Sequence, residues 1–186
     1  MAAPDFSDAV PAGAGAGTAA RRASLAFMGR HPSRWIALGM GSGLARHAPG
    51  TVGTLWAWAA FLLLDRWLGD AGWAALIAAS LVVGIWACTR TAQALGQADP
   101  GAIVWDEVVA FWIVLWLLMP AGFVAQAVAF ALFRAFDAAK PGPVGYVDRR
   151  FKRASGWWQG VGILADDLVA ALCTLLVIAL WRFVFP

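Results

Sequence analysis

Apolar residues run through this chain in long stretches that polar positions interrupt mainly at the ends. From about 52–68, 71–89, 103–119, 121–136 and 160–185 the sequence stays hydrophobic over helical lengths, with Gly, Pro or charged residues at the breaks. The pattern predicts an all-α bundle of five helices, with four to six as the range, in one domain covering 35–186. Several runs are shorter than the roughly 20 residues a full bilayer crossing needs, so some helices are expected to be tilted, re-entrant or covered by neighbours. No internal repeat is visible. The one long connection, 137–159, carries KPGP, which stops a helix because the residue before a proline avoids the α region.

The segment before the first helix divides into two parts. Residues 1–34 read as an Ala/Gly-rich disordered tail followed by a basic run of Arg21, Arg22, Arg30 and Arg34. The tail has Asp5 and Asp8 but neither a basic start nor an apolar core, which argues against a cleaved signal peptide. A glycine-rich stretch from Gly39 to Thr54, GMGSGLARHAPGTVGT, is then expected to be loop rather than long helix.

Composition turns a helical bundle into a membrane-embedded one. Hydrophobic residues make up 61% of the chain, and the mean hydropathy is +0.70, well above an ordinary soluble domain. Twelve tryptophans add to this, since the indole favours the membrane–water interface. Cys88 and Cys173 sit inside apolar stretches without a CxxC partner and read as small core residues. No feature points to nucleic acid or to a particular protein partner; the expected surroundings are lipid.

Charge sets the orientation. In the five-helix arrangement twelve of the basic residues fall on one side and only Arg66 and Arg182 on the other, which puts the N-terminus in the cytoplasm. The same arrangement gathers Asp106, Glu107, Asp137, Asp148, Asp166 and Asp167 at cytoplasmic helix ends or loops, together with the glycine-rich segment. Glu107 is the chain's single glutamate, and acids within apolar helices are costly, about 2.5–3.5 kcal/mol each at mid-bilayer, so each one needs a reason.

Two acidic doublets, Asp106-Glu107 and Asp166-Asp167, stand out because neither has a basic neighbour in sequence. Such hard oxygen ligands suit Mg²⁺, although acids near a helix start also complement the helix dipole and cap free N–H groups. In FRAFDAAKPGP, Arg134, Asp137 and Lys140 share a helix side: either the cations bind a phosphate or the three pair among themselves. Asp148, Arg149, Arg150, Lys152 and Arg153 read as a solvated cluster at lipid head groups. The glycine-rich stretch offers convergent backbone N–H groups and the hydroxyls of Ser42, Thr51 and Thr54, without the spacing of a P-loop; His47 reads as a loop histidine. There is no D-x-D motif, no Cys-x₅-Arg cradle and no histidine pair among basic residues, so a phosphatase built here would rely on carboxylates and metal. A cation-coupled transporter and a non-enzymatic lipid-binding protein remain open on the residues alone.

Taken together, GMGSGLARHAPGTVGTL, GAIVWDEVVAFWIVL, FRAFDAAKPGPVGYVDRR and GVGILADDLVAAL resemble the phosphatidylglycerophosphatase A family, from about Leu38 to Ala171 with order and spacing kept. The resemblance implies a Mg²⁺-dependent enzyme of the bacterial inner membrane, its site facing the cytoplasm, that hydrolyses the terminal phosphate of the phospholipid phosphatidylglycerophosphate. It also implies catalytic roles for Asp106, Glu107, Asp137, Asp166 and Asp167, with Asp106, Glu107, Asp166 and Asp167 as metal ligands. Ser42, Gly43, Thr51, Arg134, Lys140 and Arg149 would bind the phosphate. Gly41, Pro49, Gly50, Pro141 and Asp148 match the family pattern too, whereas Ala110 replaces a common glycine, Ala139 a common tryptophan, and GWWQGVGIL alters the approach to the last acids.

The orientation is testable by cysteine labelling. With Cys88 and Cys173 replaced, single cysteines in 137–159 should react with an impermeant thiol reagent only from the cytoplasmic side; labelling from the other side would contradict the five-span arrangement.

Overall fold

The computed structural model describes residues 23–151 and 154–185. The first 22 positions, and with them Arg21 and Arg22, lie outside the described residues, as do Lys152 and Arg153 of the basic cluster. Every regular element among the described residues is helical: α1 (Leu25–Met28), α2 (Pro32–Ala37), a 3₁₀ segment (Gly39–Leu44), α3 (Pro49–Leu64), α4 (Asp70–Leu95), α5 (Trp105–Leu118), α6 (Phe123–Ala139), α7 (Gly142–Phe151) and α8 (Trp157–Val184).

The five apolar stretches become α3, α4, α5, α6 and α8, with ends displaced for local reasons. α3 begins at Pro49, whose fixed φ and missing N–H suit the first helical position, so the last part of the expected loop is its first turn. α4 continues six residues past its expected end because Thr91, Ala92 and Leu95 are buried; Gly96, in the left-handed region at φ 68°, then closes it. The 137–159 connection is not a plain loop: α6 stops at Lys140, and ten residues of it form α7. Residues 23–34, joined to the tail in the sequence reading, form α1 and the start of α2. Ser24 caps α1, His31 caps α2, and the Arg34 guanidinium lies 4.0 Å from the Phe27 ring centre while donating to the Phe27 carbonyl.

α5 is the centre of the packing. It contacts α3, α4, α6 and α8, and ten of its fourteen residues are buried, which explains how so short an apolar helix fits a membrane-type chain. α8 in turn packs on α4, α5, α6 and α7. α4 and α8 are long and apolar enough to cross a membrane, with only 33% and 39% of their most apolar stretches buried. The outward remainder, including Leu172, Leu176, Leu180 and Phe183 of α8, is the kind of surface that lipid covers.

Tryptophan N–H groups satisfy polar atoms inside this bundle. Trp112 donates to the Ala57 carbonyl, Trp105 to the Ser80 carbonyl and Trp58 to Gln126. At the α3–α4 end, Trp73 and Trp116 donate to Asp65 and Asp70, which accounts for the two acids farthest in sequence from the doublets among the described residues.

Close helix contact depends on Gly160. A Cβ there would stand 2.3 Å from both the Ile85 carbonyl and the Thr89 hydroxyl, and the Gly160 N–H donates to that hydroxyl across the α4–α8 contact. Gly160→Ala should therefore lower the thermal midpoint in detergent, at a cost of about 1–3 kcal/mol. Gly101→Ala, with open space around it, should leave the midpoint unchanged. Equal midpoints for the two variants would show that the α4–α8 contact is looser than described.

Candidate metal and phosphate site

The acids of α5 and α8 meet where these helices cross. Asp106 and Glu107 occupy the first turn of α5, and Asp167 is reached about three turns into α8, so helix packing rather than sequence proximity brings them together. Asp106, Glu107 and Asp167 each present a carboxylate oxygen within 4.8 Å of the other two. Asp106 Oδ1, Glu107 Oε2 and Asp167 Oδ2 are buried and receive no hydrogen bond.

Three carboxylates this close, each with a buried oxygen that has no donor, are unfavourable unless positive charge or protons sit among them. The set consists only of hard oxygens and fits a cation such as Mg²⁺, which takes carboxylates while keeping water and phosphate in its remaining positions. Helix capping does not account for all of it: Glu107 accepts from its own backbone N–H, but Asp106 Oδ1, Glu107 Oε2 and Asp167 Oδ2 accept from none.

Asp166, expected beside Asp167 as a ligand, is directed elsewhere. Successive helical residues point about 100° apart, and Asp166 instead accepts from Lys140. Lys140 also donates to Asp148 at 2.6 Å, so its ammonium ties the end of α6 to α7 and α8. Its backbone, at φ 44° in the left-handed region, ends α6. Burial alone would lower the Lys140 pKa, but its bonds to Asp148 and Asp166 outweigh that and raise it above the usual lysine value. Asp148, expected to be solvated, is thus half-buried and paired.

Arg134 serves the other half of the site. Its Nη1 pairs with Asp137 and lies 3.5 Å from Glu107, while its Nε is buried without a partner. The expected Arg134–Asp137–Lys140 cluster therefore divides into two, and Asp137 neighbours Asp167. Six carboxylates here face two cations, an excess of negative charge that the described side chains do not cancel.

The glycine-rich segment reaches the site only at its end. A Cβ on Gly50 would stand 2.1 Å from Glu107 Oε1 and 3.1 Å from both Arg134 Nη atoms, so this glycine lets the first turn of α3, including Thr51, lie against the acids. Ser42 and Gly43 are engaged elsewhere. The Ser42 hydroxyl donates to the Gly39 carbonyl in its own turn, and the Gly43 N–H donates to the Leu38 carbonyl. A Cβ on Gly43 would stand 2.0 Å from the Ala102 carbonyl, so the residue is there for close packing. Arg149 is exposed and lies over Gly145 on α7.

A cavity of about 370 Å³ opens on the Asp166 side of α8, lined by Asp99, Asp148, Phe151 and Asp166 among others, and not by Asp106, Glu107 or Asp167. Sequence reasoning passed over Asp99. Its signal was its position in a short turn just before the α5 doublet, and Gln159 of α8 holds that turn by donating to the Gln97 and Ala98 carbonyls.

Removing one of the crowded charges should stabilise the protein while no divalent cation is present. In EDTA, Asp167→Asn should raise the thermal midpoint by a few degrees, as expected for relief of strain stored at a functional site. Lys140→Ala, which leaves Asp148 and Asp166 unpaired, should lower it by an amount corresponding to about 1–3 kcal/mol, less than for a fully buried pair. A lower midpoint for Asp167→Asn would mean that Asp167 is a stabilising structural acid.

Comparison with known proteins gives a consistent picture. The family model described as Phosphatidylglycerophosphatase A matches residues 35–182. Phosphatidylglycerophosphatase A of Haemophilus influenzae is 36% identical over 148 residues, covering 80% of this chain and 87% of that protein. The Escherichia coli protein of the same name is 34% identical over 142 residues, covering 76% and 78%. A Bacteroides thetaiotaomicron protein provisionally named a phosphatidylinositol-3-phosphatase is 37% identical over 157 residues, covering 80% and 92%. No solved structure matches the chain.

Proposed function

The chain belongs to the phosphatidylglycerophosphatase A family, a family of phosphatases, and from that premise we propose that it hydrolyses the terminal phosphate monoester of phosphatidylglycerophosphate, releasing phosphatidylglycerol and inorganic phosphate. The observation that carries the site assignment is the meeting of Asp106, Glu107 and Asp167 with three buried, unpartnered oxygens.

In this reading those three carboxylates hold Mg²⁺. The ion supplies charge neutralisation and Lewis acidity to a phosphate monoester. Asp137, paired with Arg134 beside Asp167, is the carboxylate available to orient an attacking water. Arg134 keeps Glu107 and Asp137 in place and has an Nε–H left over for a phosphate oxygen. Lys140 fixes Asp166 and Asp148 at the cavity wall and sets a positive charge behind them. The first turn of α3, brought close by Gly50, adds N–H groups and the Thr51 hydroxyl.

The proposed substrate and the surface of the bundle support a membrane placement. The apolar faces of α4 and α8 sit in lipid, and the acid end lies at the cytoplasmic boundary of the inner membrane, the side that carries most of the basic residues.

Phosphate release by purified protein is the test. Phosphatidylglycerophosphate should be cleaved with Mg²⁺ and not with EDTA. Asp106→Asn, Glu107→Gln and Asp167→Asn should each lose 100-fold or more in kcat/KM, about 3 kcal/mol of transition-state stabilisation. Asp166→Asn, outside the trio, should lose less than any of these. If the three amide variants hydrolyse the lipid at near wild-type rates, the metal-site reading fails.

A further inference from the structure

We infer that the lipid substrate reaches the acids sideways from the bilayer, through the seam between α3 and α6, with its glycerol and acyl chains lying along the short side chains of that seam. The inference rests on the phosphatase reading and adds to it the place taken by the lipid portion of the substrate.

Asp106 and Glu107 stand on α5, so a lipid can approach them only through a gap between the helices that surround α5. α8 packs on α4 at one side and on α6 at the other, which closes two of the gaps. A third, between α3 and α4, is filled at the head of α5. There α2 packs on α4 and the 3₁₀ segment on α3, the Val104 N–H donates to the Ala37 carbonyl, and Gly39 and Gly53 both lie against the Val104 side chain. Farther along, the rings of Phe61 and Trp73 stack across that gap at 4.4 Å. Between α3 and α6 no helix is inserted among the described residues, and the two backbones scarcely approach each other.

Side chains define what this seam contains. Thr51, Leu55, Trp58 and Leu62 follow at spacings of four, three and four along one flank of α3, and Phe123, Ala127, Phe130 and Arg134 repeat those spacings along α6. Trp58 joins the two flanks: its ring stacks on Phe123 at 5.3 Å and on Phe130 at 5.8 Å, and its N–H donates to Gln126 at 2.7 Å. At the acid end Gly50 lies against both Glu107 and the Arg134 guanidinium, so the seam leads directly to one of the three clustered carboxylates. Between Gly50 and Trp58, about 12 Å of helix, Leu55 is 47% exposed and Ala131 is exposed as well, which helices packed against each other would not leave.

The order of groups along the seam matches a phospholipid entering head first. Arg134 and Thr51, with donors for phosphate oxygens, stand at the acid end. Leu55 and Ala131 come next, and then the aromatic stack around Trp58. With the monoester among the acids, the glycerol and the first part of the acyl chains pass Leu55 and Ala131. The tails continue past Leu62 and Phe123, 44% and 72% exposed, and never leave lipid. Trp58 and its ring partners cover α5 here, so a chain in the seam meets aromatic surface and does not enter the core.

Tryptophan substitutions that fill the seam test the route, read by phosphate release from long-chain phosphatidylglycerophosphate in mixed micelles with Mg²⁺. Leu55→Trp and Ala131→Trp should each raise KM about tenfold or more with kcat within about twofold of wild type, the pattern of lost substrate binding. Leu172→Trp and Val128→Trp place the same ring on the outward faces of α8 and α6, at positions 55% and 50% exposed, and should leave both constants unchanged. An unchanged KM in either seam variant, a fall in kcat instead, or equal losses in all four variants would overturn the inference while leaving the phosphatase reading intact. A wild-type protein that releases no phosphate from this lipid would overturn both.

Discussion

Carboxylates withdrawn from water need positive charge close by, and the crossing of α5 with α8 brings several together without supplying enough of it. Arg134 and Lys140 each engage two acids at the edges of the cluster, yet the inward oxygens of Asp106, Glu107 and Asp167 are left bare. A fold that only needed stability would have an apolar contact at this crossing. Holding like charges together this way has a use when a cation and a phosphate complete the site.

The surrounding architecture keeps that crossing tight. Gly160 lets α8 approach the backbone of α4, Gly84 makes room for Trp105 at the head of α5, and Gly50 lets α3 touch Glu107. Burial of α5 on nearly all sides then fixes the direction of its first-turn acids. The long apolar helices α4 and α8 provide the frame, and their outward faces leave the polar chemistry confined to one end of the bundle. Lys140 joins frame to site, because the residue that ends α6 also draws α7 and α8 together.

Much of this was legible in the chain because hydrophobic runs and scarce acids are strong signals. The five apolar stretches and the two doublets could be located without coordinates. The direction of each acid could not, because adjacent helical residues point about 100° apart and only the packed neighbours decide which of Asp166 and Asp167 turns inward. Helix α7 was hidden by KPGP, which marks the end of α6 but carries no signal for a new helix directly after it. The glycine-rich stretch offered N–H groups and hydroxyls without a P-loop spacing. That Gly43 packs on the Ala102 carbonyl and Gly50 on Glu107 was not legible, because those contacts depend on residues distant in sequence. Asp99 was passed over because its turn gains meaning only when Gln159 fastens it beside the cavity.

If the bare oxygens of Asp106, Glu107 and Asp167 form a divalent-cation site, the purified protein should bind Mn²⁺, a paramagnetic stand-in for Mg²⁺, in a titration that follows free ion by electron paramagnetic resonance. Saturable binding that Mg²⁺ displaces, and that is lost when all three acids are replaced by their amides in a protein that remains helical, is the predicted result. Binding of the same strength in wild-type and triple-amide proteins would contradict it.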